Sequence, residues 1–330
     1  MKNQCTIVMY HYVRELPYTR YPQIKGLLAS QFKEQLAYIE RYYHFITVED
    51  CINAIYFDVD LPSNAILLTF DDGLIDHYNT VFPILESKGI QGCFFPSAKS
   101  ILEHEVPDVH KIHFLLASAL KIHDLIQALY GCLDKYRSEY SLESNDHYFS
   151  KLAKAGPMDT KGVVFMKRML QSELEETLRS LILDELFRKY VSNDEEAFSR
   201  ELYMSIDQLQ CMNRNGMYIG SHGYDHYFLN TLTAERQEKE IDLSLSFLKE
   251  KVGAPTDNWV MCYPYGGYDD SLIEILKKKN CKLALADTSA KADIAGLNKD
   301  NAYTLERIDT NDLPKIANAE TNSWTKKVLI

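Results

Sequence analysis

The chain has 330 residues, of which 46% are hydrophobic, 12% aromatic and 25% charged, and these proportions exclude a disordered or collagen-like chain. Lysine and arginine number 36 against 47 aspartates and glutamates, so the formal net charge is −11 at pH 7. An acidic chain repels the phosphate backbone of nucleic acids, and we therefore expect a globular protein without a nucleic-acid partner.

The amino terminus carries one lysine and a short apolar run, which His11 and Arg14 interrupt. This run is too short for a signal-peptide core, and no stretch of the chain approaches the ~18 apolar residues that span a bilayer. The seven cysteines are scattered and form no Cys-x-x-Cys pair, which is typical of reduced, buried thiols in a reducing compartment. We therefore expect a cytoplasmic protein without a transmembrane segment.

Short apolar runs rich in β-forming residues predict eight strands, at Thr6–Tyr10, His44–Val48, Ala65–Phe70, Gly92–Pro96, Met217–Gly220, Trp259–Tyr263, Leu283–Ala286 and Tyr303–Ile308. Amphipathic patterns between several of them predict helices at Ser30–Tyr43, Asn79–Lys88, Ala234–Val252 and Ser271–Lys279. Apolar strands that alternate with amphipathic helices are typical of a parallel sheet covered on both faces. The number of strands and helices favours an α/β barrel over an open sheet.

One region departs from this alternation. From about Ser100 to Asp207 the chain has long amphipathic runs, such as His110–Tyr136 and Phe165–Tyr190, and few strand signals. We interpret residues 100–207 as a mostly helical insertion that forms a lid or a homodimer surface. The barrel then comprises residues 1–99 and 208–315, and the polar residues 316–330 form a peripheral tail.

A predicted buried strand ends directly in Asp71-Asp72-Gly73. Catalytic groups project from the carboxyl ends of barrel strands. Because adjacent side chains diverge, one aspartate can bind a cation while the other handles a proton. Asp-Asp-Gly is also a common turn sequence, so this motif taken by itself leaves a catalytic role and a simple turn equally open.

The segment Gly220-Ser221-His222-Gly223-Tyr224-Asp225-His226 follows another predicted strand. Its two histidines are four residues apart and face one point if the segment forms a helical turn. Two imidazoles with a carboxylate suit zinc or another divalent transition metal, and three protein ligands leave positions open for water and substrate. A lone histidine pair is more often structural, but the aspartate pair after another strand favours a metal site here.

Two further segments follow predicted strands. Tyr263-Pro264-Tyr265-Gly266-Gly267 is either an ordinary turn with packed tyrosines or a tight loop that presents a backbone N–H to a developing oxyanion. His11 follows the first strand, and a single histidine there is most often a core residue. In a closed barrel, however, His11 lies at the same end as the two aspartates and the two histidines. Five titratable groups at one end of a barrel indicate an active site.

Thr69-Phe70-Asp71-Asp72-Gly73, followed by Ser221-His222-Gly223-Tyr224-Asp225-His226, resembles the first two motifs of the polysaccharide deacetylases. These are the NodB-homology enzymes of carbohydrate esterase family four. Tyr263-Pro264-Tyr265-Gly266 resembles their third motif. The similarity covers roughly residues 5–98 and 205–310 and leaves the helical insertion outside it. The two motifs in this order are far more specific than either motif alone.

This resemblance implies a distorted (β/α)7-type barrel that uses a divalent metal to hydrolyse N-acetyl groups of amino sugars. By position, Asp72, His222 and His226 would bind the metal. Zinc is the first expectation, with cobalt, nickel or manganese as alternatives. Asp71 would be the general base, and the backbone N–H of Tyr265 would hold the oxyanion.

Two departures from the family pattern concern the base and the acid. Cys262-Tyr263 replaces the arginine that usually precedes the proline of the third motif, and Leu305-Glu306-Arg307-Ile308-Asp309 replaces the late leucine-x-histidine motif that usually supplies the acid. Tyr10-His11 matches a variant, similar to bacterial exopolysaccharide deacetylases, in which the acid histidine is on the first strand, so we assign this histidine as the acid. Arg307 either orients Asp71 in place of the missing arginine or forms an exposed salt bridge.

The expected cytoplasmic location favours a precursor or glycan of capsule or O-antigen synthesis as the substrate. Two other classes of protein stay open. One is a metal-dependent amidohydrolase that acts on a non-sugar amide or a cyclic imide. The other is a non-catalytic carbohydrate-binding protein on the same scaffold, against which the intact aspartates and histidines argue.

Overall fold

The computed structural model describes residues 3–118, 121–156, 159–287 and 296–329, and these form two compact units. The first unit comprises Met1–Glu15, Gly26–Glu103 and Arg200–Ile330, and the second comprises Leu16–Lys25 and His104–Ser199. Residues 288–295 of the predicted barrel, and residues 119–120 and 157–158 of the predicted insertion, lie outside the described residues. No helix in the described ranges combines the length and the apolar character that crossing a membrane requires.

The first unit is built on short parallel strands. They are β1 (Cys5–Tyr10), β2 (His44–Phe45), β3 (Ala65–Asp72), β4 (Gly92–Pro96), β5 (Tyr218–Ile219), β6 (Val260–Cys262), β7 (Leu283–Leu285) and β8 (Ile308–Asp309). One sheet has the order β5-β4-β3-β1-β8, with β2 also paired to β3, and a second sheet consists of β6 and β7. All six strand pairings in the described residues are parallel.

Isolated bridges join the two sheets into a ring. Ser221, just after β5, bridges to Met261 in β6, and Leu285 in β7 bridges to Leu305, which precedes β8. Strand β8 in turn pairs with β1. Seven parallel strands therefore follow one another around a closed, irregular ring, with β2 outside it. This arrangement confirms the predicted α/β class and the distorted (β/α)7-type barrel.

The α-helices of the described residues are α1 (Ala29–Tyr42), α2 (Val48–Tyr56), α3 (Phe82–Lys88), α4 (Ala98–Leu102), α5 (Asp108–Ser118), α6 (Ile122–Tyr136), α7 (Asn145–Leu152), α8 (Lys161–Arg168), α9 (Glu176–Tyr190), α10 (Glu195–Leu202), α11 (Ile206–Arg214), α12 (Ala234–Ser246), α13 (Asp270–Lys278) and α14 (Ser323–Val328). Three of them adjoin a π-helical turn, at His77–Val81, Met169–Glu173 and Phe247–Val252. The predicted helices at Ser30–Tyr43 and Ser271–Lys279 correspond to α1 and α13.

Every residue of β1, β3 and β4 is buried. Burial on both faces is expected of parallel strands, because the barrel interior covers one face and helices cover the other. The interior is filled by apolar side chains contributed by strands from around the ring, including Ile7, Leu67, Phe95, Val260 and Leu283. This packing fixes the strand ends from which the polar side chains described below project.

The structure corrects two predicted strands. The predicted strand His44–Val48 shrinks to His44–Phe45, because Thr47 begins α2: its hydroxyl accepts from the N–H of Asp50, and the Asp50 carboxylate accepts from the N–H of Thr47. The predicted strand Tyr303–Ile308 begins only at Ile308. The residues before it form a turn, in which the N–H of Thr304 donates to the carbonyl of Asn301.

The second unit is helical in its described residues and has its own apolar core, with α6, α8 and α9 contributing Leu129, Phe165, Leu178 and Ile182. It extends from His104 to Ser199 rather than over the predicted 100–207, and it also takes in Leu16–Lys25. A role as lid or homodimer surface stays a prediction.

The segment predicted as a peripheral tail contains α14. Within it, Thr325 is fully buried, and its hydroxyl accepts hydrogen bonds from Tyr38 at 2.8 Å and Tyr43 at 3.1 Å. This part of the tail is therefore packed onto the first unit at α1.

Candidate active site

The five titratable side chains singled out from the sequence lie together at the carboxyl ends of the barrel strands. His11 follows β1, Asp71 and Asp72 end β3, and His222 and His226 lie in the loop after β5. The two aspartates and the two loop histidines are buried, whereas 39% of the His11 side chain is exposed. The group is therefore accessible to solvent from the side of His11.

Three of these residues form a compact set of metal donors. Oδ1 of Asp72 lies 3.1 Å from Nε2 of His226 and 3.4 Å from Nε2 of His222. All three donor atoms lie within 4.8 Å of one another. One carboxylate oxygen and two imidazole nitrogens are a donor set that zinc and other divalent transition metals prefer, so the chemistry of these residues fits such a cation.

The loop that carries the histidines does not form the helical turn that would let two histidines four residues apart face one point. It has irregular backbone in which Gly223 (φ 74°) and His226 (φ 54°) both adopt the left-handed conformation. The two imidazole rings meet edge to face, with centroids 4.9 Å apart. The histidines thus converge because the backbone reverses between them, and not because they share one face of a helix.

A hydrogen bond to Nδ1 of His222 leaves Nε2 of the same ring as the nitrogen that can bind a metal. Its Nδ1 lies 2.8 Å from the carbonyl oxygen of Cys262. Because a carbonyl can only accept, Nδ1 carries the proton, and Nε2 of the neutral ring has the free lone pair. The backbone of β6 therefore selects the tautomer that a metal ligand requires.

The surroundings of His222 favour positive charge. Burial acts to lower the pKa of His222, but the Cys262 thiol and the carboxylates of Asp72 and Asp71 act to raise it, and the net pKa lies well above its usual value. A buried site that draws a proton onto an imidazole also suits a divalent cation, which competes with that proton.

A second set of donors, Asp71, His222 and Cys262, also has its atoms within 4.8 Å of one another. This set is the poorer cation site for two reasons. Both oxygens of Asp71 already accept hydrogen bonds from the Arg307 guanidinium, whose charge would repel a cation. The Nδ1 atom of His222 is committed to the Cys262 carbonyl. The set that contains Asp72 therefore fits a metal better.

Arg307 is buried, with 1% of its surface exposed, and its guanidinium donates two parallel hydrogen bonds to the carboxylate of Asp71. Nη1 donates to Oδ1 at 2.8 Å and Nη2 donates to Oδ2 at 2.7 Å. The guanidinium is held in turn by the carbonyl of Ala286 and the hydroxyl of Thr69. Of the two interpretations that the sequence left open, the structure therefore places Arg307 on Asp71 and not in an exposed salt bridge.

Arg307 also determines the charge of Asp71. Burial acts to raise the pKa of Asp71, but the charge and hydrogen bonds of Arg307 outweigh it and lower the pKa to about 2. Asp71 is therefore ionised at any working pH, with its carboxylate plane fixed by the bidentate contact.

His11 also lies near this carboxylate, with Nε2 3.9 Å from Oδ2 of Asp71. Its backbone is held by His77, a fully buried residue whose Nε2 donates to the carbonyl of His11 at 3.0 Å. Burial lowers the pKa of His77 to about 4, so this ring stays neutral near pH 7. The sequence pattern did not indicate His77, because a single histidine just before a predicted amphipathic helix carries no signal of its own.

Tyr265 lies in the loop after β6 in the left-handed conformation, with φ 56°. Its ring meets His226 edge to face at 4.8 Å and stacks on Phe228 at 3.8 Å. Gly266 follows with φ 67°, and a Cβ there would lie 2.7 Å from the backbone nitrogen of Asp287. The tight loop that the sequence indicated is thus present, and it lies directly beside the metal-donor set.

Comparison with known proteins finds one matching family model. The family model described as polysaccharide deacetylase matches residues 190–284, which contain both loop histidines and Tyr265. No curated protein sequence matches the chain.

Three solved structures resemble the chain over nearly its whole length. The Streptococcus pyogenes deacetylase PplD in complex with acetate is 17% identical with a TM-score of 0.56, and the match covers 100% of this chain and 98% of PplD. IcaB from Ammonifex degensii is 18% identical with a TM-score of 0.55, covering 99% and 96%. A de-N-acetylase from Aggregatibacter actinomycetemcomitans is 15% identical with a TM-score of 0.54, covering 99% and 100%.

Because these sequence identities are only 15–18%, the structural likeness establishes the fold and not the function. The resemblance predicted from the motifs is confirmed: the chain has the distorted barrel of the NodB-type deacetylases and matches the polysaccharide deacetylase family model.

Proposed function

We propose that the protein is a divalent-metal-dependent hydrolase that removes the N-acetyl group from an amino sugar. The observation that carries this proposal is the pairing of two neighbouring sites. Asp72, His222 and His226 converge as metal donors, and beside them Arg307 holds an ionised Asp71 that is not needed as a ligand. Acetate, which the PplD structure contains, is the product that such a reaction would release.

Asp72, His222 and His226 would hold the cation, and zinc suits this donor set, with cobalt, nickel and manganese as alternatives. When bound, such a cation supplies Lewis acidity, which makes water more acidic and polarises a carbonyl group. The tautomer of His222 is already set for this purpose by the Cys262 carbonyl.

The remaining groups of the site transfer protons and stabilise the negative charge that develops on the substrate. Asp71 accepts the proton of the attacking water, in an orientation that Arg307 fixes. With a pKa of about 2, Asp71 does not retain that proton strongly. His11, whose Nε2 lies 3.9 Å from Oδ2 of Asp71, would deliver a proton to the leaving amine. The backbone N–H of Tyr265 would hold the developing oxyanion.

The surroundings of the site suit a sugar. Phe228 is 39% exposed and stacks on Tyr265 beside the donor set, and aromatic faces of this kind pack against the apolar faces of pyranose rings. The substrate is then an amino-sugar precursor or glycan of cell-surface polysaccharide synthesis. The cytoplasmic location and the homodimer stay predictions, which cell fractionation and the mass of the protein in solution would test.

Acetate release from a substrate panel tests this function. The full chain is loaded with zinc or cobalt and incubated with N-acetylglucosamine oligomers, nucleotide-linked N-acetyl sugars and cyclic imides. We expect acetate and free amine in equal amounts from at least one N-acetyl sugar, and no release after treatment with a chelator. Turnover of cyclic imides alone would instead indicate an amidohydrolase. Sugar binding without turnover in the metal-loaded protein would indicate a non-catalytic carbohydrate-binding protein.

A further inference from the structure

Helix α12 carries a stripe of polar side chains on its buried face. Gln237, Glu240 and Ser244 are spaced by three and four residues and are exposed by 0%, 8% and 1%. Residues at this spacing lie on one side of a helix. Burying polar groups is costly unless each finds a hydrogen-bond partner, so the partners of this stripe indicate its purpose.

Glu240 has its partners in the loop between the two histidines. Its Oε2 accepts the backbone N–H of Tyr224 at 3.1 Å and the backbone N–H of Asp225 at 2.9 Å. Both residues lie between His222 and His226. A single buried carboxylate oxygen therefore satisfies two consecutive N–H groups at the centre of the metal-binding loop.

Other polar groups of the same loop also have hydrogen-bond partners. Ser244, one turn along α12, shares a hydrogen bond of 2.7 Å with the hydroxyl of Ser221. Lys99, in α4, donates its backbone N–H to the carbonyl of Tyr224 at 2.9 Å, and its Nζ lies 2.8 Å from Oδ2 of Asp225. The loop is thus hydrogen-bonded both to α12 and to the start of α4.

These hydrogen bonds from α12 and α4 replace the ones that regular secondary structure would supply to the loop. The loop is neither helix nor strand, and its two left-handed residues, Gly223 and His226, set the direction in which the second histidine points. Buried N–H groups need acceptors. A loop whose amides are accepted by a rigid helix is ordered before any ligand binds, and ligand sets gain affinity from such preorganisation.

We propose that Glu240 is a positioning residue for the metal site. Its carboxylate holds the turn between His222 and His226, so that both Nε2 atoms face Asp72 before the metal arrives. This inference depends on the proposed metal-dependent function, because it assigns Glu240 a purpose within that metal site.

The test compares four variants of the full chain by two measurements. One is the dissociation constant for zinc, determined by competition with a chelator. The other is hydrogen exchange at the N–H groups of Tyr224 and Asp225 in metal-free protein. Glu240→Leu removes the acceptor, and we expect zinc binding about 10–100-fold weaker and faster exchange at both amides, as for other residues that orient metal ligands.

Gln237→Leu is the matched control. It also removes a buried polar group from the same face of α12, but the Gln237 amide bonds to the carbonyl of Leu229 and to Asp269 instead of the histidine loop. We expect it to lose thermal stability while its zinc dissociation constant stays close to that of the wild type. Equal weakening by both leucine variants would overturn the proposal, because the effect would then be a general loss of stability.

Glu240→Gln keeps an acceptor oxygen at the same place and is expected to restore near-normal zinc affinity and exchange. A glutamine variant as defective as the leucine variant would contradict the role of the acceptor. If Glu240→Leu does not fold, Glu240→Asp, which is one methylene too short to reach both N–H groups, provides the same comparison. Wild-type protein that binds no zinc would refute the proposed function, while amide exchange would still decide whether Glu240 orders the loop.

Discussion

Replacing Asp72 with asparagine is expected to abolish metal binding and acetate release together. The carboxylate supplies one of the three donor atoms, at 3.1 and 3.4 Å from the two histidine nitrogens, and it carries the negative charge of the set. An amide keeps the size but is neutral, and one of its ends is a hydrogen-bond donor. We expect bound metal to fall from about one ion per chain to background, and kcat/KM to fall by at least about a thousandfold.

Metal analysis of dialysed protein and an acetate assay on the same sample measure both effects. Asp58→Asn is the matched control, because Asp58 is exposed and has a positive φ of 55°, as Asp72 has at 75°. Asparagine tolerates this left-handed conformation, so neither substitution strains the backbone. An Asp72→Asn protein that binds metal stoichiometrically and releases acetate would show that the metal site is assigned to the wrong residues.

Replacing Arg307 with methionine is expected to cost both stability and turnover while metal affinity is retained. It leaves the buried carboxylate of Asp71 without its bidentate partner, and breaking a buried ion pair in this way typically costs about 3–5 kcal/mol. The carboxylate also loses the contact that orients it, so kcat should fall. Arg307 donates its two parallel hydrogen bonds to Asp71, which is not one of the three metal donors, so we expect the metal to bind as before.

Tryptophan fluorescence during urea unfolding measures the free energy of unfolding of the first unit, because both tryptophans of the chain, Trp259 and Trp324, belong to that unit. The ion pair holds the pKa of Asp71 at about 2, below its ordinary 3.8, so its stabilisation is present above pH 4 and is lost as the pH falls towards 2. The difference between wild type and Arg307→Met should shrink over that range.

Two further variants control for the charge removed. Arg214→Met removes an exposed arginine at the end of α11 and should change stability by no more than about 0.5 kcal/mol. Arg307→Lys keeps the charge without the two parallel hydrogen bonds and should be intermediate. A stable Arg307→Met protein with wild-type kcat would contradict the assignment of Arg307 as the residue that orients Asp71.

The sequence was most informative where burial dictates residue type. The apolar runs coincide with six of the seven strands of the ring, because strands covered on both faces admit few polar residues, and the seventh, β8, was met only at Ile308. Strand ends were less certain. Thr47 and Asp50 form a capping box that begins α2, and this local hydrogen bonding ended the predicted strand at Phe45.

The site residues were found through their position after predicted strands and through motif resemblance, but their geometry was not. A spacing of four residues suggested a helical turn, whereas left-handed backbone at Gly223 and His226 brings the histidines together. Such a conformation is stabilised by residues outside the loop, including Glu240 in the helix that follows it, and the spacing of the histidines does not reveal these contacts. A glutamate in an amphipathic helix is ordinarily exposed, so the sequence did not indicate that Glu240 is buried.

In the proposed mechanism, two adjacent aspartates divide the work: Asp72 binds the metal and Asp71 accepts the proton. Asp71→Asn tests it most directly, by metal content and acetate release measured on one sample. We expect about one metal ion per chain and no acetate, because the ligands Asp72, His222 and His226 are unchanged while the proton acceptor is gone. Acetate release at the wild-type rate, or loss of the metal, would contradict it.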